Sequence, residues 1–260
     1  MIDYLAVIRS ESARFLELVR TTPMDVAVPS CPGWTVADLT WHLGEVQHFW
    51  SRIVATLLTD PDAVDTPDRP VDSALADFLA EQSQALVDAL AARHPEEVCW
   101  SWYDVDTTVG FSRRRQAHEA LIHRIDAELA AGTTFRIDTE LAADGVDEIV
   151  RIFLDVDNLP EWAALDPHDA TAVIAIDDGS ASWAMELGRF RGTSPNSGRT
   201  YDFPAISLIE PPVRPTAILR GGAVDLDLWL WGRGPLDPIS VEGDHAVADH
   251  IRAAAVQATQ

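Results

Sequence analysis

The spacing of apolar residues changes once along this chain, and that change constrains the fold more than any other feature. Up to about residue 156, apolar residues recur at helical intervals, and turn-rich segments separate these stretches. After the sequence DNLPEW, short segments alternate apolar and polar residues, which is typical of half-buried strands. We therefore predict an α plus α+β protein, with a helical domain over residues 1–158 and a smaller α+β domain over residues 159–260.

The helical part contains four predicted helices of four to six turns. They are expected from near the N-terminus to residue 20, and at about 36–57, 73–93 and 113–132, with a shorter helix at about 147–156. Thr35 and Asp38 form a capping-box variant before the second helix, and Gly132 is suited to end the fourth. Four long helices with long second and third connections predict a four-helix bundle.

The second part contains four predicted strands and two helices. The strands are expected at about residues 171–177, 182–190, 214–222 and 239–244. The segment GAVDLDLWLWGRGP fits a strand or a helix by periodicity, and its length and Gly232 favour a helix. The segment HAVADHIRAA predicts a last helix near the C-terminus.

Charge and composition exclude several kinds of partner. The net charge is −23 and the sequence contains no lysine, so the surface repels phosphate backbones and we expect no nucleic-acid partner. No apolar stretch approaches the roughly 18–20 residues of a membrane span, and the N-terminus lacks a signal-peptide pattern. Cys31 and Cys99 suggest neither a disulfide framework nor a zinc knuckle. We expect a cytoplasmic protein without a membrane partner, either a monomer or a homodimer.

Two histidines and one glutamate on two predicted helices form a candidate metal site. Glu119 and His123 are four residues apart, which places them about 40° apart on one helix face. His42 lies two turns inside the second helix, so the three side chains meet if these helices face each other. Two imidazoles and one carboxylate would leave a fourth position open, as in catalytic zinc sites. A buried polar network without metal explains the same residues equally well.

Three neighbouring polar residues have open roles. Asp126 extends the stripe of Glu119 and His123, where it would orient a ligand imidazole or lie on the helix surface. Glu45 lies one turn after His42, either as an outer base or as an exposed carboxylate. His118 is about 140° around the helix from His123, so one metal cannot easily bind both, and we expect His118 to be packed or to contact a ligand residue.

Arginines and tryptophans complete the candidate site. Arg115 lies one turn before Glu119 on the same face, next to Arg113 and Arg114. Three arginines near a helix start oppose the helix dipole, so an anion that they bind would explain them, and ordinary surface arginines are the alternative. Trp34, Trp41 and Trp50 lie on or just before the second helix, and one of them is expected to wall the pocket. Loops at 60–70 and 100–111 are expected to shape its mouth.

The motifs around these residues resemble a known family. The runs CPGWTVADLTWHLGEV and RRRQAHEALIHRIDAE resemble the mycothiol-dependent maleylpyruvate isomerase family, whose N-terminal half is a DinB-like four-helix bundle. The segments LWLWGRGP and VEGD are similar to the family's C-terminal domain, which is related to sterol-carrier-like α+β modules. The resemblance implies that His42, Glu119 and His123 hold a metal, usually zinc. It also implies that Arg233 reaches the active site from the C-terminal domain.

The resemblance further implies mycothiol as the cofactor and a small anionic or electrophilic molecule as the substrate. The thiol would add to a cis enone acid such as maleylpyruvate and leave after bond rotation, or it would stay on an electrophile as the product of S-transfer. Arg115 and Arg233 would be catalytic and hold substrate carboxylates, and Arg233 and Trp34 would contact the thiol. A metal-hydroxide hydrolase or lyase and a non-catalytic small-ligand-binding protein are the alternatives.

Overall fold

Four long helices precede a five-stranded sheet with three further helices in a computed structural model of the chain. The structure describes residues 2–156 and 159–259. The first four helices are α1 (Tyr4–Val19), α2 (Val36–Thr56), α3 (Leu75–Ala91) and α4 (Val109–Ala130). The later helices are α5 (Thr139–Glu148), α6 (Ala223–Trp231) and α7 (Ala246–Thr259). The strands are β1 (Ala163–Ile176), β2 (Ser182–Thr193), β3 (Thr200–Leu208), β4 (Ala217–Gly221) and β5 (Ser240–Gly243).

The first four helices form the predicted bundle. Both α1 and α2 pack against α3 and α4, so each helix has two neighbours. Phe15, Leu39, Leu43 and Leu79 are completely buried in the cluster that joins the helices. Such apolar side chains contribute about 1.5–3 kcal/mol each when they leave water. The predicted fold class, a four-helix bundle followed by an α+β unit, is confirmed.

Helix α4 is buried on nearly all sides although many of its residues are polar. Arg124 donates hydrogen bonds to Glu11 Oε2 at 2.5 Å and to Glu128 Oε2 at 3.0 Å. Glu128 also accepts from Arg14 Nε at 3.0 Å. The side chains of Arg124 and Glu128 are each only 5% exposed. These pairs connect α4 to α1, and they compensate for the cost of burying the charges.

The capping box of α2 is present as predicted. The Thr35 hydroxyl accepts from the Asp38 backbone N–H at 3.3 Å, and the Asp38 carboxylate accepts from the Thr35 N–H at 3.0 Å. Asp38 also pairs with Arg69 Nη1 at 2.8 Å. The hydrogen bonds from the Thr35 backbone and side chain, together with Arg69, lower the pKa of Asp38 to about 2.

This lowered pKa predicts a pH-dependent contribution to stability. A carboxylate whose pKa is lower in the folded chain stabilises it above the unfolded pKa of about 4, and that contribution is lost as pH falls towards 2. We therefore expect Asp38→Asn to lower the free energy of unfolding at pH 6, with the difference from the wild type shrinking between pH 4 and 2. Urea unfolding across this range measures it, and a difference that stays constant with pH would contradict the assignment.

Two helix starts differ from the sequence-based prediction. Helix α4 begins at Val109, before the predicted start after Ser112, because the Thr108 hydroxyl accepts from the Phe111 N–H and caps it. Helix α5 begins at Thr139, where Asp138 accepts from two backbone N–H groups, and the predicted start near 147 was wrong. The chain then continues as a π-helical segment, Ile149–Leu154. Asp155 and Val156 follow this segment, and residues 157–158 lie outside the described part of the chain.

The five strands form one mixed sheet in the order β3-β2-β1-β4-β5. Strands β1 and β4 are parallel, and the other neighbours are antiparallel. The four predicted strands are present as β1, β2, β4 and β5. The segment with Gly232 forms α6, and this glycine ends the helix with φ of +80°.

Strand β3 was missed from the sequence. It lies at one edge of the sheet and contains Pro204, which cannot donate to a ladder and is tolerated at edges. On the outer side of β3, Asp155 forms a parallel bridge with Ile206. There the Val156 N–H donates to the Ile206 carbonyl at 3.2 Å, and the Leu208 N–H donates to Asp155 Oδ1 at 3.1 Å.

The chain divides into two compact units, Met1–Arg136 and Ile137–Gln260. This division falls earlier than the predicted domain boundary at 158/159, because α5 packs against α6 in the second unit. The two helices approach so closely that a Cβ atom on Gly145 would lie 2.6 Å from Asp227 Oδ1. Within the described ranges 2–156 and 159–259, no helix combines the length and the apolar character that a bilayer crossing requires.

Candidate metal centre

The three predicted ligands converge in the first unit. His42 lies in the second turn of α2, and Glu119 and His123 lie one turn apart on α4, which packs against α2. One ligand atom from each residue lies within 4.8 Å of the others. The structure therefore brings together the trio that sequence spacing suggested.

Glu119 stands between the two imidazoles. Its Oε1 atom is 3.4 Å from His42 Nε2 and 3.1 Å from His123 Nε2. The two rings are nearly perpendicular, with centroids 4.9 Å apart. The side chains of His42, Glu119 and His123 are 33%, 18% and 11% exposed, so the group is partly buried but open on the His42 side.

The electrostatic environment favours the charged forms of Glu119 and His123. Burial disfavours the ionised carboxylate, but His123 and Arg115 outweigh that effect and hold the pKa of Glu119 well below its usual range. Burial likewise disfavours a protonated ring, but Glu119 and Asp126 outweigh it and raise the pKa of His123 to about 9. Two carboxylates thus favour a positive charge at His123, the kind of environment that a cation also requires.

Arg115 pairs with a candidate ligand. Its guanidinium is 5% exposed and donates from Nη2 to Glu119 Oε2 at 2.8 Å, on the oxygen that does not face the histidines. Arg113 donates from Nη2 to the carbonyls of Leu90 and Arg93, both at 2.7 Å. These two arginines therefore have protein partners that explain their presence in the first turns of α4, without a substrate anion.

Asp126 is the partner of His123 on its other ring nitrogen. Its carboxylate is fully buried and lies 3.0 Å from His123 Nδ1. The Ser30 hydroxyl donates to Asp126 Oδ1 at 2.5 Å, and the Cys31 thiol lies 3.5 Å from Oδ2. Ser30 and Cys31 were not recognised as site residues, and the one available signal was their closeness in sequence to Trp34.

The remaining candidates fall in different places. Trp34 lies beside His42, with ring centroids 4.9 Å apart. His118 is buried and packs edge-on against Tyr4, as expected of a packed residue. Arg233 is half-buried in the second unit, where its Nη1 atom donates to the Trp231 carbonyl at 2.6 Å. The role of Arg233 stays a prediction.

A cavity of about 300 Å³ opens beside His42. Its lining residues come from α2 and from the 64–67 segment; they are His42, Glu45, Val46, His48, Phe49, Trp50, Val64, Asp65, Thr66 and Pro67. His48 holds the segment in place, because its Nε2 atom lies 3.1 Å from the Asp65 carbonyl and its Nδ1 atom 3.0 Å from Gln82 Oε1. The predicted contribution of the 60–70 loop to the mouth of the site fits this lining.

The residues present fit a divalent metal. Two neutral imidazole nitrogens and one carboxylate oxygen are the donor types that zinc prefers, and three protein ligands are typical of its catalytic sites. The contact of Asp126 with His123 Nδ1 leaves Nε2 as the coordinating nitrogen, which matches the usual carboxylate–histidine–metal arrangement. A bound cation would also take the place of the positive charge that the carboxylates favour at His123.

Two family profiles match this chain. The profile described as "Mycothiol maleylpyruvate isomerase N-terminal domain" matches residues 5–128, and that described as "MDMPI C-terminal domain" matches residues 140–250. No curated protein matches the sequence.

Two solved structures share the fold of the chain. A crystal structure of a mycothiol-dependent maleylpyruvate isomerase is similar over 92% of both chains, with a TM-score of 0.56 and 13% identity. The crystal structure of a histidine-to-alanine mutant of a mycothiol-dependent maleylpyruvate isomerase is similar over 92% of both chains, with a TM-score of 0.60 and 14% identity.

Proposed function

This chain belongs to the mycothiol-dependent maleylpyruvate isomerase family, and from that premise we propose that it is a metal-dependent enzyme that uses mycothiol. The proposed reaction is the cis–trans isomerisation of a maleylpyruvate-like enone acid or the transfer of the thiol sulfur to a small electrophile. The proposed metal is zinc, and the proposed location is the cytoplasm.

The convergence of His42, Glu119 and His123 carries this proposal. The three residues would hold the metal from two helices of one bundle, which are rigid elements of the fold. When bound with an open position, zinc lowers the pKa of a thiol so that the thiolate is present at neutral pH. A thiolate is the form of sulfur that adds to an activated double bond or displaces a leaving group.

The protein's own residues would orient this chemistry. Arg115 holds Glu119 from the side away from the histidines, and Asp126 fixes the ring of His123. Trp34 supports the His42 ring, and we propose that it also contacts the thiol. Arg115 was predicted to hold a substrate carboxylate. Because it pairs with Glu119, it is better suited to position that ligand. We also propose Arg233 as a substrate-binding residue, on the family resemblance alone.

The cavity beside His42 favours the S-transfer reaction as a second candidate. Glu45 and Asp65 line it, next to the apolar surfaces of Val46, Phe49 and Val64, and none of its described lining residues is an arginine or a lysine. Such a lining offers no arginine or lysine to pair with a dicarboxylate, so attraction for an anion would have to come from the bound metal. It suits an uncharged electrophile with an apolar body.

The experiment that tests the proposal compares two substrates under four conditions. Maleylpyruvate isomerisation and conjugation of the uncharged electrophile monochlorobimane are measured with and without zinc and with and without mycothiol. We expect turnover of at least one substrate only when metal and thiol are both present. Preference for monochlorobimane would support S-transfer, and preference for maleylpyruvate would support isomerisation. Metal-dependent turnover without thiol, or no turnover of either substrate, would contradict the proposal.

A further inference from the structure

One short loop contacts the surroundings of both candidate histidine ligands. This 28–34 loop, with the sequence VPSCPGW, precedes α2 and lies far in sequence from α4. Ser30 and Cys31 contact Asp126, which in turn lies 3.0 Å from His123 Nδ1. At the end of the same loop, Trp34 packs against the His42 ring. The loop therefore contacts His42 directly through Trp34 and reaches His123 through Asp126, although the two histidines lie on different helices.

The backbone of the 28–34 loop is held by its own hydrogen bonds. The Val28 N–H donates to the Trp34 carbonyl at 2.9 Å, and the Trp34 N–H donates to the Cys31 carbonyl at 3.0 Å. Val28 is buried in the bundle core, and two prolines restrict the backbone on either side of Cys31. Gly33 takes the left-handed conformation that closes the loop, with φ of +86°. A loop restrained in this way can hold a side chain in a fixed position.

We propose that the 28–34 loop is the positioning element of the metal site, with Ser30 as its principal residue. The Ser30 hydroxyl fixes one carboxylate oxygen of Asp126, so that the other oxygen stays directed at His123 Nδ1. This contact sets the orientation of the His123 ring and directs Nε2 towards Glu119 and His42. Ser30 is hydrogen-bonded to Asp126 and acts on the ligand through it. The inference rests on the metal site of the proposed function, whatever reaction that site performs.

The test measures zinc affinity by competition with a chelator at fixed pH. Loss of a group that orients a metal ligand typically weakens metal binding about 10–100-fold, so we expect this range for Asp126→Ala and about tenfold for Ser30→Ala. Ser30→Thr retains the hydroxyl and should restore most of the affinity. Ser10→Ala, an exposed serine on α1 in the same unit, is the matched control and should leave affinity unchanged.

A double mutant separates positioning from general structural damage. If Ser30 acts through Asp126, Ser30→Ala should weaken zinc binding in the wild type but cause no further loss in the Asp126→Ala variant. Equal losses in the two backgrounds, an unchanged affinity in Ser30→Ala, or a wild type without zinc affinity would overturn the inference. Absence of thiol-dependent turnover in a wild type that binds zinc with this pattern would overturn the proposed function alone.

Discussion

Replacing His42 by alanine is expected to abolish zinc retention and thiol-dependent turnover while the protein remains folded. Four-ligand zinc sites bind with roughly 10–16 kcal/mol, so one ligand contributes about 2.5–4 kcal/mol, or a factor of about 10²–10³ in affinity. The His42 side chain is 33% exposed and lies at the open side of the trio, so its removal leaves no large cavity. The free energy of unfolding measured in urea should therefore change by less than about 1 kcal/mol.

Elemental analysis and chelator competition on the purified variant measure this effect. The matched control is His94→Ala, because His94 lies after α3 and its side chain is 70% exposed. We expect the control to retain zinc and activity at the wild-type level. A His42→Ala variant that keeps its full zinc content would show that other residues hold the metal. The candidate centre would then be wrong.

Replacing Arg124 by methionine should have the opposite effect to the His42 substitution. We expect a large decrease in the free energy of unfolding and little change in zinc affinity. Arg124 is 5% exposed and joins Glu11 on α1 to Glu128 on α4. Removing one partner of a buried charge network typically costs about 3–5 kcal/mol, because the remaining carboxylates lose their compensation. Arg124 donates hydrogen bonds to Glu11, Glu128 and the Arg136 carbonyl, so zinc affinity of the folded fraction should be retained.

Arg14 offers the matched control for this prediction. It also pairs with Glu128, at 3.0 Å, but its side chain is 44% exposed. Exposed ion pairs typically contribute less than about 1 kcal/mol, so Arg14→Met should be nearly neutral. Urea unfolding of the two variants gives the comparison directly. Equal effects of the two substitutions would show that burial of Arg124 does not determine its contribution.

Together these variants divide the motif around His123 into two parts. Glu119, His123 and Asp126 face the candidate centre, whereas Arg124 and Glu128 face α1 and hold the bundle together. The short segment HEALIHRIDAE therefore combines ligand, orienting and structural residues on a single helix. This is possible because α4 is buried on nearly all sides, so each of its polar faces meets a different partner.

The sequence predicted the ligand trio because helix periodicity relates Glu119 to His123 and places His42 at a defined depth in α2. It could not show that α2 and α4 pack against each other, which depends on the apolar faces of four helices at once. The contacts of Ser30 and Cys31 with Asp126 span 96 and 95 residues, and no local spacing encodes them. The partner of Arg115 was also missed, since an arginine one turn from a carboxylate is ordinary on a helix surface.

Two elements of the second unit were misjudged for local reasons. Helix α5 contains Gly145, which weakens a helical pattern and is required there by the close approach of Asp227. Strand β3 contains Pro204, which argues against a central strand but is compatible with the edge that β3 occupies. In both cases tertiary packing outweighs the propensity of single residues.

The bridge of Asp155 to Ile206 also bears on how copies of this protein can associate. On this rim Pro204 has no N–H to donate and the bridge covers Ile206, and the opposite rim is the four-residue β5, which carries Glu242. Short, charged or covered rims oppose edge-to-edge growth and the aggregation that follows from it. We therefore expect a homodimer, if it forms, to associate through helices or loops rather than through a continuous intermolecular sheet.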